Sequence, residues 1–122
     1  GMMLLVSFTY GDTEKEIDYL VNKVLNLRIF DDENGVMNKS ILDINGEILS
    51  ISQFTLYANT SKGNRPSYID ALKGEDAIKL YDMFNEKLKS KLHTETGVFG
   101  AEMKVDFIND GPITILLEKE NK

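Results

Sequence analysis

The chain has 122 residues, enough for a single domain spanning residues 1–122, and its hydrophobic content of 42% excludes an intrinsically disordered protein. It contains no cysteine, which excludes disulfides, zinc–thiolate sites and a cysteine nucleophile. The formal net charge of −6 argues against a protein that coats long stretches of nucleic acid, because such proteins are usually basic, but it allows contact with one end of an RNA.

The N-terminal part of the chain predicts a strand followed by a helix. Residues 4–10 form an apolar run typical of a buried strand. Thr13 and Glu16 then form a T-x-x-E capping box, and apolar residues recur behind it at helical spacing. We expect this helix to end near Leu27, because the next residues look extended and residues 31–35 resemble a turn.

The middle of the chain predicts a β-hairpin and then a loop. Asn45-Gly46 lies between residues 41–44 and 47–56, and an Asn-Gly pair between two such runs is the strongest short-range signal for a hairpin. Residues 57–68 are polar and contain glycine and proline, so we expect a loop there.

The C-terminal half predicts a second helix and two strands. Residues 75–92 carry an apolar face at helical spacing. Residues 103–107 alternate apolar and charged side chains, residues 109–112 interrupt this pattern, and residues 113–117 resume as a strand. This order, with mainly hairpin-like links, predicts an α+β fold with a mainly antiparallel, barrel-like β-sheet core and two amphipathic helices.

Few residues of this sequence suit acid–base or metal chemistry. His93 is the only histidine, and at the end of a lysine-rich helix we expect a surface residue and not a catalytic base. Residues 31–35 offer oxygen ligands without the spacing of a calcium loop, so we predict neither a metal site nor a cofactor. Ser52 and Thr55 within an apolar segment indicate either a satisfied hydrogen-bond network or a site. Gly111-Pro112 is either a plain turn or a cis peptide.

Five segments along almost the whole chain resemble, in order, the motifs of one family. They are R-I-F-D-D…G-V-M-N at residues 28–38, S-Q-F-T-L at 52–56, K-G-N-R-P-S-Y at 62–68, T-G-V-F-G-A-E-M at 96–103 and N-D-G-P-I-T at 109–114. Together they resemble the D-aminoacyl-tRNA deacylase family, with Tyr68 standing where the family has phenylalanine. Five motifs in order are far more specific than any one of them.

The resemblance implies a hydrolase that removes D-amino acids, and also glycine, from the 3′ end of tRNA as chiral proofreading of translation. It implies a homodimer in which the S-Q-F-T-L segment of one subunit faces a cis Gly111-Pro112 of the other. The Gly-Pro carbonyls would leave room only for hydrogen where an L-amino acid puts its side chain. The expected partner is the acceptor end of aminoacyl-tRNA. No membrane partner is expected, because the apolar runs are short, and without a recognisable signal peptide we expect a cytoplasmic protein.

The resemblance assigns roles to individual residues. Ser52, Gln53 and Thr55 are expected to be catalytic, with Thr55 nearest the scissile ester. The expected substrate-binding residues are Phe54, Phe99, Gly100, Ala101, Asn109, Gly111, Pro112 and Thr114; Lys62 and Arg65, or Lys87, Lys89 and Lys91, are expected to contact tRNA. Either Thr55 attacks the ester, or the substrate's own 2′-hydroxyl orients water while backbone N–H groups near Phe54 stabilise the oxyanion. The shortage of bases favours the second mechanism.

One departure from the family pattern keeps alternatives open. Family members usually begin with a further β-hairpin, containing a Q-R-V segment, before the strand that matches residues 4–10. This sequence starts at that strand; if the hairpin is missing from the protein itself, we expect an exposed sheet edge and loss of the arginine that supports the Gly-Pro motif. One alternative is a catalytically impaired short member that binds tRNA ends or another protein. Another is a related editing domain that removes an L-amino acid, against which the intact residues 109–112 argue.

Overall fold

The computed structural model describes residues 1–122 and contains two α-helices, five short strands and one 3₁₀ turn. In chain order they are β1 (Met2–Val6), α1 (Glu14–Asn26), β2 (Phe30–Asp31), β3 (Met37–Lys39), β4 (Ile48–Ser52), the 3₁₀ turn (Phe54–Tyr57), α2 (Gly74–Lys89) and β5 (Thr94–Thr96). Two helices combined with small sheets confirm the predicted α+β class.

The main sheet has three strands in the order β1-β4-β5, and both strand pairs are parallel. Ile48 of β4 aligns with Met2 on one side and with Thr94 on the other. The connection from β1 to β4 contains α1 and the antiparallel β2-β3 ribbon, and the connection from β4 to β5 contains α2. The prediction of a mainly antiparallel, barrel-like core is therefore wrong, because strands joined through helices pair in parallel and this sheet stays open.

The predicted hairpin around Asn45-Gly46 is also wrong. Residues 41–45 form a compact turn in which the Gly46 N–H donates to the Ile41 carbonyl at 3.0 Å. Asn45 has a φ of 49°, so the Asn-Gly pair does supply the left-handed residue that it favours. Ile41 is fully buried in this turn, whereas Leu42 and Ile44 are exposed, so the apolar run contributes one core residue and not a strand.

Both predicted helices form. The Glu16 carboxylate accepts a hydrogen bond from the Thr13 N–H at 2.8 Å, and the Thr13 hydroxyl accepts one from the backbone of the first turn, which confirms the capping box. The end of α1 next to Leu27 is confirmed as well. Neither helix has the length and apolar character that crossing a membrane requires.

The hydrophobic core lies between the two helices and the main sheet. Its buried members are Val6, Phe8, Ile17, Val21, Val24, Leu25, Ile41, Ile48, Tyr81, Phe84, Leu88 and Leu92. At the surface of this interface, the Lys87 ammonium of α2 contacts Asp18 of α1 at 2.6 Å and Glu14 at 2.9 Å. Donation to Asp18, and then to Glu14, raises the pKa of Lys87. The two helices are thus held by a shared core and by one bridging cation.

Residues 102–122 contain no regular secondary structure. Their backbone makes no hydrogen bond to any other backbone group, so the strands predicted at residues 103–107 and 113–117 are wrong for this chain. An alternating pattern specifies which side chains face a core, but a strand also needs a neighbour that completes its hydrogen bonds. Apolar side chains of this segment are exposed instead, most of all Ile108 at 93% and Leu116 at 71%.

Candidate active site

One cleft of about 430 Å³ brings two of the sequence motifs together. Its walls come from the end of β4, the start of α2 and the segment that follows β5. The residues that line it are Ile51, Ser52, Gln53, Phe54, Leu72, Lys73, Gly74, Phe99, Gly100, Ala101, Met103 and Val105. Six of the residues predicted for the site are therefore in one place, three from the S-Q-F-T-L motif and three from the T-G-V-F-G-A-E-M motif.

The parallel sheet explains why these segments meet. Ser50 of β4 aligns with Thr96 of β5, so both strands run out at the same edge and the two motifs leave the sheet side by side. The third wall is held by the continuation of β1, where the Phe8 carbonyl accepts a hydrogen bond from the Leu72 N–H at 2.9 Å. The edge at the carboxyl ends of parallel strands is the usual place for a ligand site in an open sheet.

The S-Q-F-T-L motif is divided between a strand and a 3₁₀ turn. β4 ends at Ser52, the Gln53 N–H donates to the Val6 carbonyl at 2.8 Å, and the chain then coils through Phe54–Tyr57. The prediction of one continuous strand over residues 47–56 is wrong at this point. Because the first N–H groups of a helical turn lack carbonyl partners within it, the coil leaves N–H donors near Phe54 at the edge of the cleft.

Thr55 does not line the cleft directly but is hydrogen-bonded to Gln53, which does. Its hydroxyl oxygen accepts a hydrogen bond from the Gln53 side-chain amide at 2.6 Å. An amide donor cannot take up a proton, so Gln53 orients this hydroxyl without activating it as a nucleophile. Two residues on, burial raises the pKa of Tyr57, and Asp12 and Glu118 add to this effect. No anionic base is therefore available along the turn.

The T-G-V-F-G-A-E-M motif packs against itself and against the sheet. The Ser50 carbonyl accepts two hydrogen bonds, from the Gly97 N–H at 3.0 Å and from the buried Tyr81 hydroxyl at 2.7 Å. A Cβ atom on Gly97 would lie 2.8 Å from Met103 Sδ and 3.1 Å from Ile51 Cδ1. Only glycine leaves room here for the Met103 side chain, so the glycine and the methionine of the motif form a packing pair.

Lys73 is the only ionisable residue that lines the cleft. Its Nζ lies 5.3 Å from the centroid of the Phe54 ring. His93 lies elsewhere, with Nε2 3.0 Å from the Glu95 carboxylate and 60% of its side chain exposed, which agrees with the predicted surface position. The cleft can therefore orient a substrate and attract an anion, but it contains no carboxylate or imidazole to serve as a base.

Several residues that line the cleft were not predicted from the sequence. Met103 belongs to the T-G-V-F-G-A-E-M motif, and its position six residues after Gly97 in that motif could have identified it. Ile51, Leu72, Lys73, Gly74 and Val105 carry no motif, and they reach the cleft through contacts between distant parts of the chain. No local pattern pointed to them.

The N-D-G-P-I-T motif forms an exposed loop that is closed by its own polar side chains. The Asn109 amide donates to the Thr114 hydroxyl at 3.1 Å and accepts from the Ile113 N–H at 3.2 Å. The Gly111–Pro112 peptide is cis, and Gly111 has a φ of 123°, which residues with a side chain rarely adopt. None of these residues lines the cleft of its own chain. Asn109 and Thr114 thus stabilise the loop that presents Gly111 and Pro112.

Lys62 and Arg65 line a second, polar cleft of about 260 Å³. The other residues that line it are Asn59, Ser67, Ile69 and Asp70. Two cations against the single carboxylate of Asp70 leave this cleft with a net positive charge, which suits a phosphate. Of the helical lysines considered as alternatives, Lys87 is engaged with α1, and Lys89 lies 3.8 Å from Glu86 on its own helix.

Comparison with known proteins identifies the family. The family model described as D-Tyr-tRNA(Tyr) deacylase matches residues 1–118. A D-aminoacyl-tRNA deacylase from Bacteroides fragilis (strain YCH46) is 58% identical, with 100% of this chain and 83% of the relative covered. One from Bacillus cereus (strain B4264) is 54% identical, over 98% of this chain and 83% of the relative. The solved structure of a protein titled c-Myc DNA Unwinding Element Binding Protein superposes with a TM-score of 0.92 at 42% identity, over 98% of this chain and 83% of that one. The chain belongs to the D-Tyr-tRNA(Tyr) deacylase family.

Proposed function

We propose that this chain hydrolyses the ester bond of D-aminoacyl-tRNA in the cleft beside β4, releasing the D-amino acid and free tRNA. Membership of the family and relatives named D-aminoacyl-tRNA deacylase at 54% and 58% identity support this activity. The observation that carries the assignment to this cleft is that the S-Q-F and F-G-A segments line it together. Glycyl-tRNA is a second expected substrate, because a site that rejects L side chains by steric exclusion admits an amino acid that has none.

The cleft favours a mechanism in which the protein positions the ester and the substrate supplies the 2′-hydroxyl that orients water. No carboxylate or imidazole lines the cleft, and the Thr55 hydroxyl accepts a hydrogen bond from an amide, which cannot take up its proton. The Thr55 hydroxyl hydrogen remains free to donate toward the ester or the attacking water. Backbone N–H groups near Phe54 would stabilise the oxyanion. An aminoacyl ester is already labile, so orientation and charge stabilisation suffice.

A homodimer with shared active sites is the assembly that fits this chain. The backbone of residues 102–122 forms no hydrogen bond to other backbone groups, and the segment leaves Ile108 93% exposed and Leu116 71% exposed. Exposed apolar patches and unpaired extended segments are characteristic of surfaces that another chain covers. In the proposed dimer Gly111 and Pro112 of one subunit face the cleft of the other, and their carbonyls exclude the side chain of an L-amino acid.

The remaining contacts to tRNA are assigned to the second cleft. Lys62 and Arg65 would bind backbone phosphates of the acceptor end there. With a net charge of −6, this protein would rely on a few local cations and not on a broad basic surface. Aminoacyl-tRNA is used where translation occurs, and the proposal therefore includes a cytoplasmic location.

A non-catalytic role as a tRNA-end or protein-binding module is the weaker candidate. The motif residues that line the cleft are complete, and the match to the family model extends over residues 1–118. The related editing activity on an L-amino acid is likewise disfavoured, since residues 109–114 retain the family's Gly-Pro motif in full.

Parallel incubation with D-tyrosyl-tRNA and L-tyrosyl-tRNA tests the proposed activity. Hydrolysis of the D-ester alone is expected, and survival of both esters would refute the proposal in favour of a binding module. Thr55→Val, which keeps the shape and removes the hydroxyl, separates the two mechanisms. If Thr55 only positions the substrate, the rate falls by roughly 10- to 100-fold. A loss beyond about 10⁴-fold would instead identify Thr55 as the nucleophile.

A further inference from the structure

The cleft holds one positive charge and no negative charge, in a protein whose net charge is −6. That charge is Lys73, which lies outside every recognised motif. Its ammonium forms no ion pair within 4 Å, although Glu75 and Asp76 follow it closely in the first turn of α2. An unpaired cation in an otherwise neutral cleft attracts an anionic part of whatever binds there.

We propose that Lys73 binds the phosphate on the 5′ side of the terminal nucleoside of the aminoacyl-tRNA. This inference rests on the proposed function and adds a specificity-determining contact to it. The scissile ester, the ribose and the base of that nucleoside are all uncharged, and this phosphate is the nearest fixed negative charge in the substrate. A lysine ammonium is a suitable partner, since it binds phosphate as a point charge without demanding a planar geometry.

The position of Lys73 relative to Phe54 supports this contact. The ammonium lies 5.3 Å from the centroid of the Phe54 ring, and Phe54 stands T-shaped against Tyr68 at 5.1 Å between ring centroids. The ring therefore restricts the positions of the lysine side chain, while the three N–H donors of the ammonium remain exposed to solvent. Phe54 follows Gln53 directly, so the cation is located next to the residues that hold the ester and can reach the nucleotide to which the ester is attached.

A purely structural role for Lys73 makes a different prediction. If the lysine acted only by holding Phe54 through a cation–π contact, its loss would disturb every substrate equally, whether or not that substrate carried a phosphate. A phosphate contact matters only when the phosphate is present. Substrates that differ in this one group therefore separate the two roles.

The first test measures binding of 5′-AMP and adenosine to the full chain by NMR titration. We expect the wild-type protein to bind AMP about tenfold more tightly than adenosine. Lys73→Met should abolish this difference, and Lys73→Arg should retain it. Lys79→Met is the matched control, since Lys79 is an exposed lysine of α2, the helix that Lys73 precedes, and does not line the cleft. Equal binding of AMP and adenosine by the wild type, or an AMP preference that persists in Lys73→Met, would overturn the proposal.

The second test compares hydrolysis of D-tyrosyl-tRNA with hydrolysis of D-tyrosyl-adenosine, which lacks the phosphate. In Lys73→Met we expect KM for the tRNA ester to rise about tenfold at constant kcat, with the adenosine ester unaffected. An equal loss on both esters would assign Lys73 to the positioning of Phe54 and overturn the phosphate contact. If the proposed function is wrong, the wild-type protein will hydrolyse neither ester. The AMP titration would still decide whether Lys73 binds a phosphate.

Discussion

Replacing Gly97 with alanine tests whether packing inside the T-G-V-F-G-A-E-M motif shapes the wall of the cleft. The added methyl group would meet Met103 Sδ at 2.8 Å, Met103 Cε at 3.3 Å and Ile51 Cδ1 at 3.1 Å. Ile51 belongs to β4 and is only 4% exposed, whereas the thioether is the flexible end of its side chain. Met103 must therefore move, and because it lines the cleft, the cleft changes shape with it.

The expected cost to stability is small and the expected cost to activity is larger. Overpacking usually costs about 1–3 kcal/mol, and since Met103 can yield, we expect a value near 1 kcal/mol, or a fall in Tm of about 4 °C. Displacement of a cleft wall by about 1 Å is enough to reduce activity up to roughly 100-fold, and we expect a 10- to 100-fold fall in kcat/KM. Thermal unfolding followed by circular dichroism and deacylation of D-tyrosyl-tRNA by the same preparation measure the two effects.

The double variant Gly97→Ala, Met103→Ala is the control that makes this reasoning refutable. Removing the thioether relieves the clash with the new methyl group, so the double variant should be less impaired than the product of the two single effects. If the two single effects simply multiply, Met103 is not what the methyl group displaces, and the steric argument fails. A Gly97→Ala variant with full activity would refute it as well.

Three further predictions concern the fold and the proposed assembly. Thr13→Ala removes the N-cap hydroxyl of α1 and should lower the free energy of unfolding by about 1 kcal/mol in urea titration, with unchanged helix content. The Ser40 N–H, and then the Ser40 side chain, hold the pKa of Asp43 below 3.8, so its ionised form stabilises the fold above that value and the stabilisation is lost as the pH falls through the lowered pKa. Asp43→Ala should accordingly be less stable than wild type at neutral pH, and the difference should shrink as the pH falls through the lowered pKa of Asp43; a difference that stays constant down to acid pH would contradict the linkage. Ile108→Asp places a charge on the most exposed apolar side chain and should yield a monomer without deacylase activity in sedimentation and ester assays, whereas Val36→Asp, at another exposed apolar position, should leave both unchanged.

The helices were predictable because their signals are local. The capping residues Thr13 and Glu16 and the apolar stripe behind them lie within a few turns of one another, and no distant contact is needed to interpret them. The local signal of the Asn45-Gly46 dipeptide was ambiguous. Its positive φ is real, but the dipeptide alone does not specify whether it joins two strands or closes a turn around a buried Ile41.

Strand pairing was not predictable in the same way. β1 pairs with β4 across an intervening helix and ribbon, and an apolar run does not carry the identity or the direction of its partner. The strands expected after residue 102 failed for a related reason, since alternation alone does not provide a neighbouring edge. For the site, motif resemblance supplied the residues of two cleft walls, while the third wall, with Lys73, depends on the contact between Phe8 and Leu72 and carries no motif.

The error in strand direction matters for function, because the cleft depends on the parallel arrangement. In a hairpin, successive strands end at opposite edges of the sheet, and the segments after β4 and β5 would lie a strand length apart. Because β4 and β5 pair in parallel, with Ser50 beside Thr96, the segments that follow these two strands leave the sheet at the same edge. The Ser50 carbonyl then fixes their spacing, since it accepts hydrogen bonds from Gly97 of one wall and from Tyr81 of the helix that connects the two strands. The cleft has no carboxylate or imidazole, so the proposed mechanism depends on orientation, and this shared acceptor ties the cleft walls to the central strand of the main sheet.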